Sequence, residues 1–222
     1  MMNRRTLLQQ FGAAGLLSAG GVMGFLQRAL AAGVNPVPPG LHKVKGKVTI
    51  NGHEARAGQL IQPGDTVTTG KDGEATYVVG DNAFLQRGGS TVSFGKTAAD
   101  FLRVLNGRIL SVFGKGDKEL RFSTATIGIR GTACYIEEGL KAETYFCLCY
   151  GEARVVPTAA PEQWETVITT HHDHPLWIGN DMRMPSMMVN APVINHTDAE
   201  LILLENLVGR WPPFYGKVVN NY

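Results

Sequence analysis

Apolar residues in this chain come in short bursts. From Leu41 to Val156 the runs VKGKVTI, TYVVG, FLRVL, RILSVF, TATIGI and ETYFCLC are rich in β-branched and aromatic residues. Several alternate apolar with polar positions, the period of a strand with one buried face. Between the runs fall Asn51-Gly52, Gly64-Asp65, Thr69-Gly70, Asp72-Gly73, Gly80-Asp81 and Asn106-Gly107. Asn-Gly and Asp-Gly pairs suit the positive φ that tight hairpin turns require. No long window in this region carries a helical period. The pattern predicts a mainly β fold of short antiparallel strands, arranged as a sandwich, barrel or β-coil.

After Val156 the pattern changes. Pro157 to Pro161 (PTAAP) marks a boundary, and a tail over 157–222 follows. Residues 164–170 read as one more strand, followed by THHDHPLWIG and a methionine-rich loop, DMRMPSMMVNAP. One helix is expected at about 198–208. Thr197 and Glu200 form a capping box, and Leu201, Leu204, Leu207 and Val208 recur at helical spacing. Gly209 and Pro212-Pro213 end it.

The N-terminus reads as a targeting segment, residues 1–32. Arg4-Arg5 precede a glycine-rich apolar run from Phe11 to Leu26 and a small-residue site at Ala29-Leu30-Ala31, the layout of a secretory signal cleaved near Ala31. The paired arginines resemble a twin-arginine export signal, with Asn3 in place of the usual Ser or Thr. That route carries folded proteins, often loaded with a cofactor. The run of 16 residues is short of the roughly 20 that span a bilayer, so no stable membrane span is expected in the mature form. Residues 33–43 begin with the proline-rich GVNPVPPG and read as a linker.

Charge excludes one class of partner. The formal charge is +2, but the first 31 residues hold Arg4, Arg5 and Arg28 and no acid. The remainder carries 18 basic and 19 acidic residues, and a near-neutral body has no footprint for nucleic acid.

Within 44–156 the landmarks fall in a recognisable order. Gly46-x-Val48, Gly58, Gly64-Asp65-x-Val67-x-Thr69-Gly70, Asp72-Gly73-x-Ala75, Leu105-x-Gly107-Arg108 and Thr124-Ala-Thr-Ile-Gly-Ile-Arg-Gly-Thr132 follow one another. This resembles the FecR domain, the periplasmic module first associated with ferric-citrate regulators. The resemblance implies a binding or scaffold module outside the cytoplasm and names no ligand. The signalling members also carry a cytoplasmic regulatory segment, a membrane span and a C-terminal domain, whereas this chain pairs the module with an export signal and a different tail. Arg130, Gly131 and Thr132 are expected to be structural: the arginine turned inward to cap carbonyls or pair with an acid, the glycine permitting close backbone approach.

The candidate chemistry lies in TYFCLCYG, residues 144–151, and THHDHP, residues 170–175. Cys147 and Cys149 are two apart, so on a strand they share a face with Cβ atoms roughly 6.5–7 Å apart, too far for the about 3.5–4.5 Å of a disulfide. Residues 137–141 read as a hairpin turn. If Cys134 pairs opposite Cys147, or with an even slip, all three thiols share a face and a Cys134–Cys147 or Cys134–Cys149 disulfide is open. A slip by one puts Cys134 on the other face. A metal site would add His171, His172, His174 and His196, since two thiolates and two imidazoles are a common zinc set and sulfur also suits copper. On a strand, His172 and His174 would share a face and His171 would point away. Four of the six histidines lie between 171 and 196. Simple packing of small buried cysteines remains the third reading, and packing is the expectation for Met182, Met184, Met187 and Met188.

Three function classes follow. The first is an exported, non-enzymatic binding or scaffold protein of the cell envelope, in the periplasm, with a metal ion (zinc, copper or iron) or an envelope protein as partner. The second is a periplasmic metalloenzyme or redox protein with Asp173 or Glu165 beside an open metal position; no HExxH, nucleophile elbow or phosphate loop supports it. The third is a structural envelope protein held by a disulfide.

Overall fold

The structure, a computed structural model, describes residues 36–140 and 143–216. Arg4, Arg5 and the expected cleavage site at Ala31 lie outside the described residues. Among these residues the chain is mainly β with a single α-helix near the C-terminus. Fifteen strands among the described residues form one continuous network of pairings, which folds into two leaves.

The first leaf holds β1 (Gly40–Lys45), β5 (Glu74–Val79), β6 (Asn82–Gln86), β11 (Ala133–Leu140), β14 (Leu176–Ile178) and β15 (Met188–Asn190). The second holds β2 (Val48–Ile50), β3 (His53–Glu54), β4 (Thr66–Thr69), β7 (Thr91–Thr97), β9 (Asp117–Arg121), β10 (Ala125–Arg130) and β13 (Glu165–Thr169). Two long strands, β8 (Asp100–Val112) and β12 (Glu143–Pro157), belong to both. Residues 91–106 of the β7–β8 ladder lie in the second leaf, whereas 107–112 of β8 pair with β11 in the first. Likewise 144–150 of β12 pair in the first leaf and 151–157 in the second. Each changeover falls on a glycine of positive φ, Gly107 (+94°) and Gly151 (+101°), where a strand turns the corner between packed sheets.

The pairings are antiparallel as predicted, except that β8 and β9 run parallel where Leu102 faces Leu120. The strands are not all short, because the corner strands serve two leaves. Asn51 has φ +53° and Gly52 +81°, the hairpin geometry expected of that pair.

Two apolar layers result. Val67, Val92, Leu102, Val104, Ile127 and Val155 of the second leaf meet Leu41, Tyr77, Phe84 and Phe146 of the first in the main core. The other face of the first leaf packs Leu85, Leu110, Tyr135 and Tyr145 under Leu201, Leu204 and Leu207 of the helix α1 (Asp198–Leu207). The first leaf is therefore covered on both sides, which is why TYFCLCY is a continuous apolar run rather than an alternation. The capping box is present: the Thr197 hydroxyl accepts from the Glu200 amide, and the Glu200 carboxylate accepts from the Thr197 amide.

Segments expected to lie apart are built into this body. The expected linker over 33–43 contains the start of β1, with Leu41 buried in the main core, and the Val37 amide donates to the Leu207 carbonyl. In the tail, β13 and β14 both pair with β12. Residues 137–140 of the expected turn at 137–141 are strand instead: β11 continues to Leu140, with a register irregularity after Glu137, and residue 141 lies outside the described residues.

Candidate metal centre

Cys147 and Cys149 lie on β12 and point from the first leaf into the layer beneath α1. Cys134 does not join them. A register irregularity between Ala133 and Cys134 sets Cys134 opposite Leu148 and Tyr135 opposite Cys147. This is the odd slip that sends a side chain to the other face, and Cys134 is buried in the main core. All three cysteines are free, which corrects the disulfide readings.

The histidines arrive from two loops. Residues 170–174 form a turn and not a strand. The Asp173 carboxylate accepts from the amides of Thr170 and His171 and from the Thr170 hydroxyl. His172 adopts φ +55°, and its amide donates to the Cys149 carbonyl. The turn throws His172 inward beside Cys147, with Sγ to Nδ1 3.4 Å. His171 reaches Asp198 at 2.9 Å, and His174 sits at the surface 3.5 Å from Glu165. His172 and His174 thus do not share a face, because no strand is there to impose one.

His196 precedes the helix cap. Asn195 has φ +58° and is held by its amide group, which donates to the buried Glu137 carboxylate at 2.7 Å. Tyr135 donates to the same carboxylate and stacks on the His196 ring at 4.6 Å. Among the described residues, three non-glycines have positive φ, and two of them aim the imidazoles of this cluster. Such backbone costs on the order of 1–3 kcal/mol and persists where the surroundings enforce it.

The Sγ atoms of Cys147 and Cys149 and one ring nitrogen each of His172 and His196 lie within 4.8 Å of one another, and all four residues are buried. The outer ring nitrogens are also engaged. His196 Nδ1 lies 2.6 Å from the Ile194 carbonyl, which only accepts, so Nδ1 carries a proton and Nε2 is the nitrogen turned to the cluster. His172 Nε2 lies 3.2 Å from Asp198 Oδ1. Asp198 is the first residue of α1. An Nε2–H on His172 donates to that carboxylate, which leaves Nδ1 turned toward Cys147 and His196. Those two inner nitrogens, His172 Nδ1 and His196 Nε2, are 3.1 Å apart.

Either a proton held between them as an N–H···N hydrogen bond or a metal ion satisfies that pair. Burial opposes a thiolate at Cys147, yet contacts from Cys149, His172 and His196 hold that thiol well below the usual range. Burial likewise works against an imidazolium at His172, and the Cys147 and Asp198 contacts outweigh it and raise the group. Cys149 is pushed up by burial and by Cys147.

Sequence reasoning missed Asp198, Tyr135, Glu137 and Asn195. Only Asp198 left a trace, two residues past His196 in the first helical turn. The other predicted residues lie elsewhere. Arg130 is not turned inward: it is 81% exposed and 3.6 Å from an equally exposed Asp117, where a pair contributes little. The reason is the strand period, which places buried Ile127 and Ile129 inward and Arg130 out. Arg130 lines a groove of about 530 Å³ with Arg154, Asp117 and Glu119. Gly131 takes φ +61°, and Thr132 is buried. Asp173 and Glu165, suggested as water-activating groups, serve the turn and His174 instead. Met182 and Met184 are exposed, whereas Met187 is buried. No helix among the described residues is long and apolar enough to cross a membrane.

No protein-family model matches the chain, and no curated protein does. Among solved structures, two crystal structures of a "putative anti-sigma factor" from Parabacteroides distasonis ATCC 8503, at 1.65 and 2.50 Å resolution, are similar. Each has a TM-score of 0.47 and 8% identity, and the match covers 57% of this chain and 58% of that one. A likeness of that size assigns neither family nor function.

Proposed function

We propose that this chain is an exported, non-enzymatic binding or scaffold protein of the cell envelope, whose FecR-like β body holds a metal ion through Cys147, Cys149, His172 and His196. The observation that carries the metal is the buried set of two thiols and two imidazoles whose donor atoms lie within 4.8 Å of one another, with His172 Nδ1 and His196 Nε2 3.1 Å apart. Both outer nitrogens are already bonded, to Asp198 and to the Ile194 carbonyl. Engagement of the second ring nitrogen by a carboxylate or carbonyl is the usual support of a metal-bound histidine. Export rests on the Arg4-Arg5 head and the Ala29-Leu30-Ala31 site, and the FecR-like reading rests on the Gly-Asp-x-Val-x-Thr-Gly and Ile-Arg-Gly-Thr stretches.

The contact series Cys147–His172–Asp198 also has the order of a nucleophile, its base and an orienting acid. Cys147 is 0% exposed, so no substrate reaches the sulfur, and a holding role fits better than turnover. Total metal in the natively exported protein tests the reading. We expect about one ion per chain, lost in Cys147→Ser and in His196→Ala. Metal content at background in the parent protein would overturn the site.

A further inference from the structure

Resting on that metal-binding reading, we infer that the resident ion is zinc(II) and that it works as a clasp, pinning the His172 turn and the first turn of α1 to the first leaf.

The identity follows from charge, geometry and ligand type. The four donors are buried, so the charge they enclose must be close to balanced. Two thiolates carry two negative charges. A divalent ion cancels them, whereas Cu(I) leaves one negative charge in the apolar layer, next to the buried Asp198 carboxylate. Cu(II) prefers a tetragonal arrangement. A zinc tetrahedron with its usual bond lengths has ligand–ligand edges of about 3.3–3.8 Å. The nitrogen pair at 3.1 Å and the sulfur–nitrogen contact at 3.4 Å are near those edges without large movement. Iron(II) carries the same charge, but nitrogen and sulfur donors bind zinc more tightly. Four protein donors leave no vacant position, the mark of a structural site.

The clasp follows from where the donors come from. Cys147 and Cys149 are fixed in β12, which pairs with β11 along 143–150 and with β14 just before them at 144–146. His172 and His196 sit on loops 25 and 24 residues further along, as their numbering shows. Closing both loops on one ion removes chain freedom that the apolar contacts there do not remove. Asp198 extends the clasp into the helix, since the first residue of α1 accepts from both His171 and His172. The remainder of α1 is held separately by Leu201, Leu204 and Leu207 in the second apolar layer. Loss of the ion therefore loosens the turn and the helix start, and leaves the helix end and the leaves in place.

The test uses the full chain purified after export by its own signal. Metal identity is read by mass spectrometry, and the site geometry by the visible spectrum after exchange of the ion for cobalt(II). Hydrogen exchange is then compared before and after chelation. We expect zinc, a tetrahedral cobalt spectrum with thiolate charge-transfer bands, and an exchange increase of about tenfold or more in 170–174 and 195–201 on chelation. Protection in β6 and β8 should hold. His171→Ala, which removes no donor, should keep its zinc. Copper or iron in the parent protein overturns the identity while leaving the metal reading intact. Zinc with unchanged exchange on chelation overturns the clasp. No metal at all overturns the earlier reading and this one with it, and is recognised by its zero stoichiometry.

Discussion

Replacing Asp198 by asparagine keeps the shape of the side chain and removes its charge. Asp198 is 1% exposed and accepts from His171 Nε2 at 2.9 Å and from His172 Nε2 at 3.2 Å. Its oxygens fix the His172 tautomer that turns Nδ1 toward the two sulfurs. An amide has a single acceptor oxygen, and its NH₂ faces ring nitrogens that also carry protons. Loss of a partner of this kind typically weakens metal affinity about 10–100-fold, or about 1.4–2.8 kcal/mol. A second cost falls on the metal-free protein. One lost hydrogen bond to a charged acceptor is worth about 1.5–3 kcal/mol, and a lost carboxylate at a helix N-terminus about 0.3–1 kcal/mol. Asp198→Asn should therefore unfold about 2–4 kcal/mol earlier than the parent when both are chelated. The assay is metal competition against a chromophoric chelator, paired with urea unfolding in excess chelator. Unchanged affinity together with unchanged metal-free stability would refute the assignment of Asp198 as the tautomer-setting partner.

Three other substitutions or labels probe the frame. Gly151→Ala places a methyl 2.6 Å from Thr132 Cγ2 at φ +101°; strain and overpacking together should cost about 2–4 kcal/mol in equilibrium unfolding, and a loss below about 1 kcal/mol would remove Gly151 from its corner role. Thr197→Ala removes the hydroxyl that accepts from the Glu200 amide and should cost about 1 kcal/mol, read as a lower urea midpoint with an unchanged slope. Cys134 is buried and its thiol is pushed far up by burial, so it should resist alkylation in the native protein and label only on unfolding, as counted by intact mass. Rapid native labelling of Cys134 would place it at a surface.

What was legible in the chain is what local chemistry decides. Asn51-Gly52 announces a hairpin because only certain residues accept positive φ, and Thr197 with Glu200 announces a helix start because both capping partners lie within one turn. The mainly β class follows from the runs and turns between them. The proximity of thiols and imidazoles was readable only as composition, a cluster of residue types without a spacing that names a site.

Tertiary structure decided the rest, because register and burial are settled by residues far apart in the chain. Cys134 looked like a partner for Cys147 until one irregularity after Ala133 moved it to the other face, a one-residue effect that no pattern within β11 records. His172 and His174 looked like neighbours on a strand, but Asp173 captures the amides of its own turn and sends them apart. Arg130 looked buried because its motif did, whereas the alternation set by Ile127 and Ile129 turns it to solvent. The tail read as an appendage, yet β12 lends it two free edges and α1 covers the second face of the first leaf. The residue types of the candidate site are in the sequence. Their meeting point exists only where β12, the turn at 170–174 and the start of α1 converge under one apolar layer.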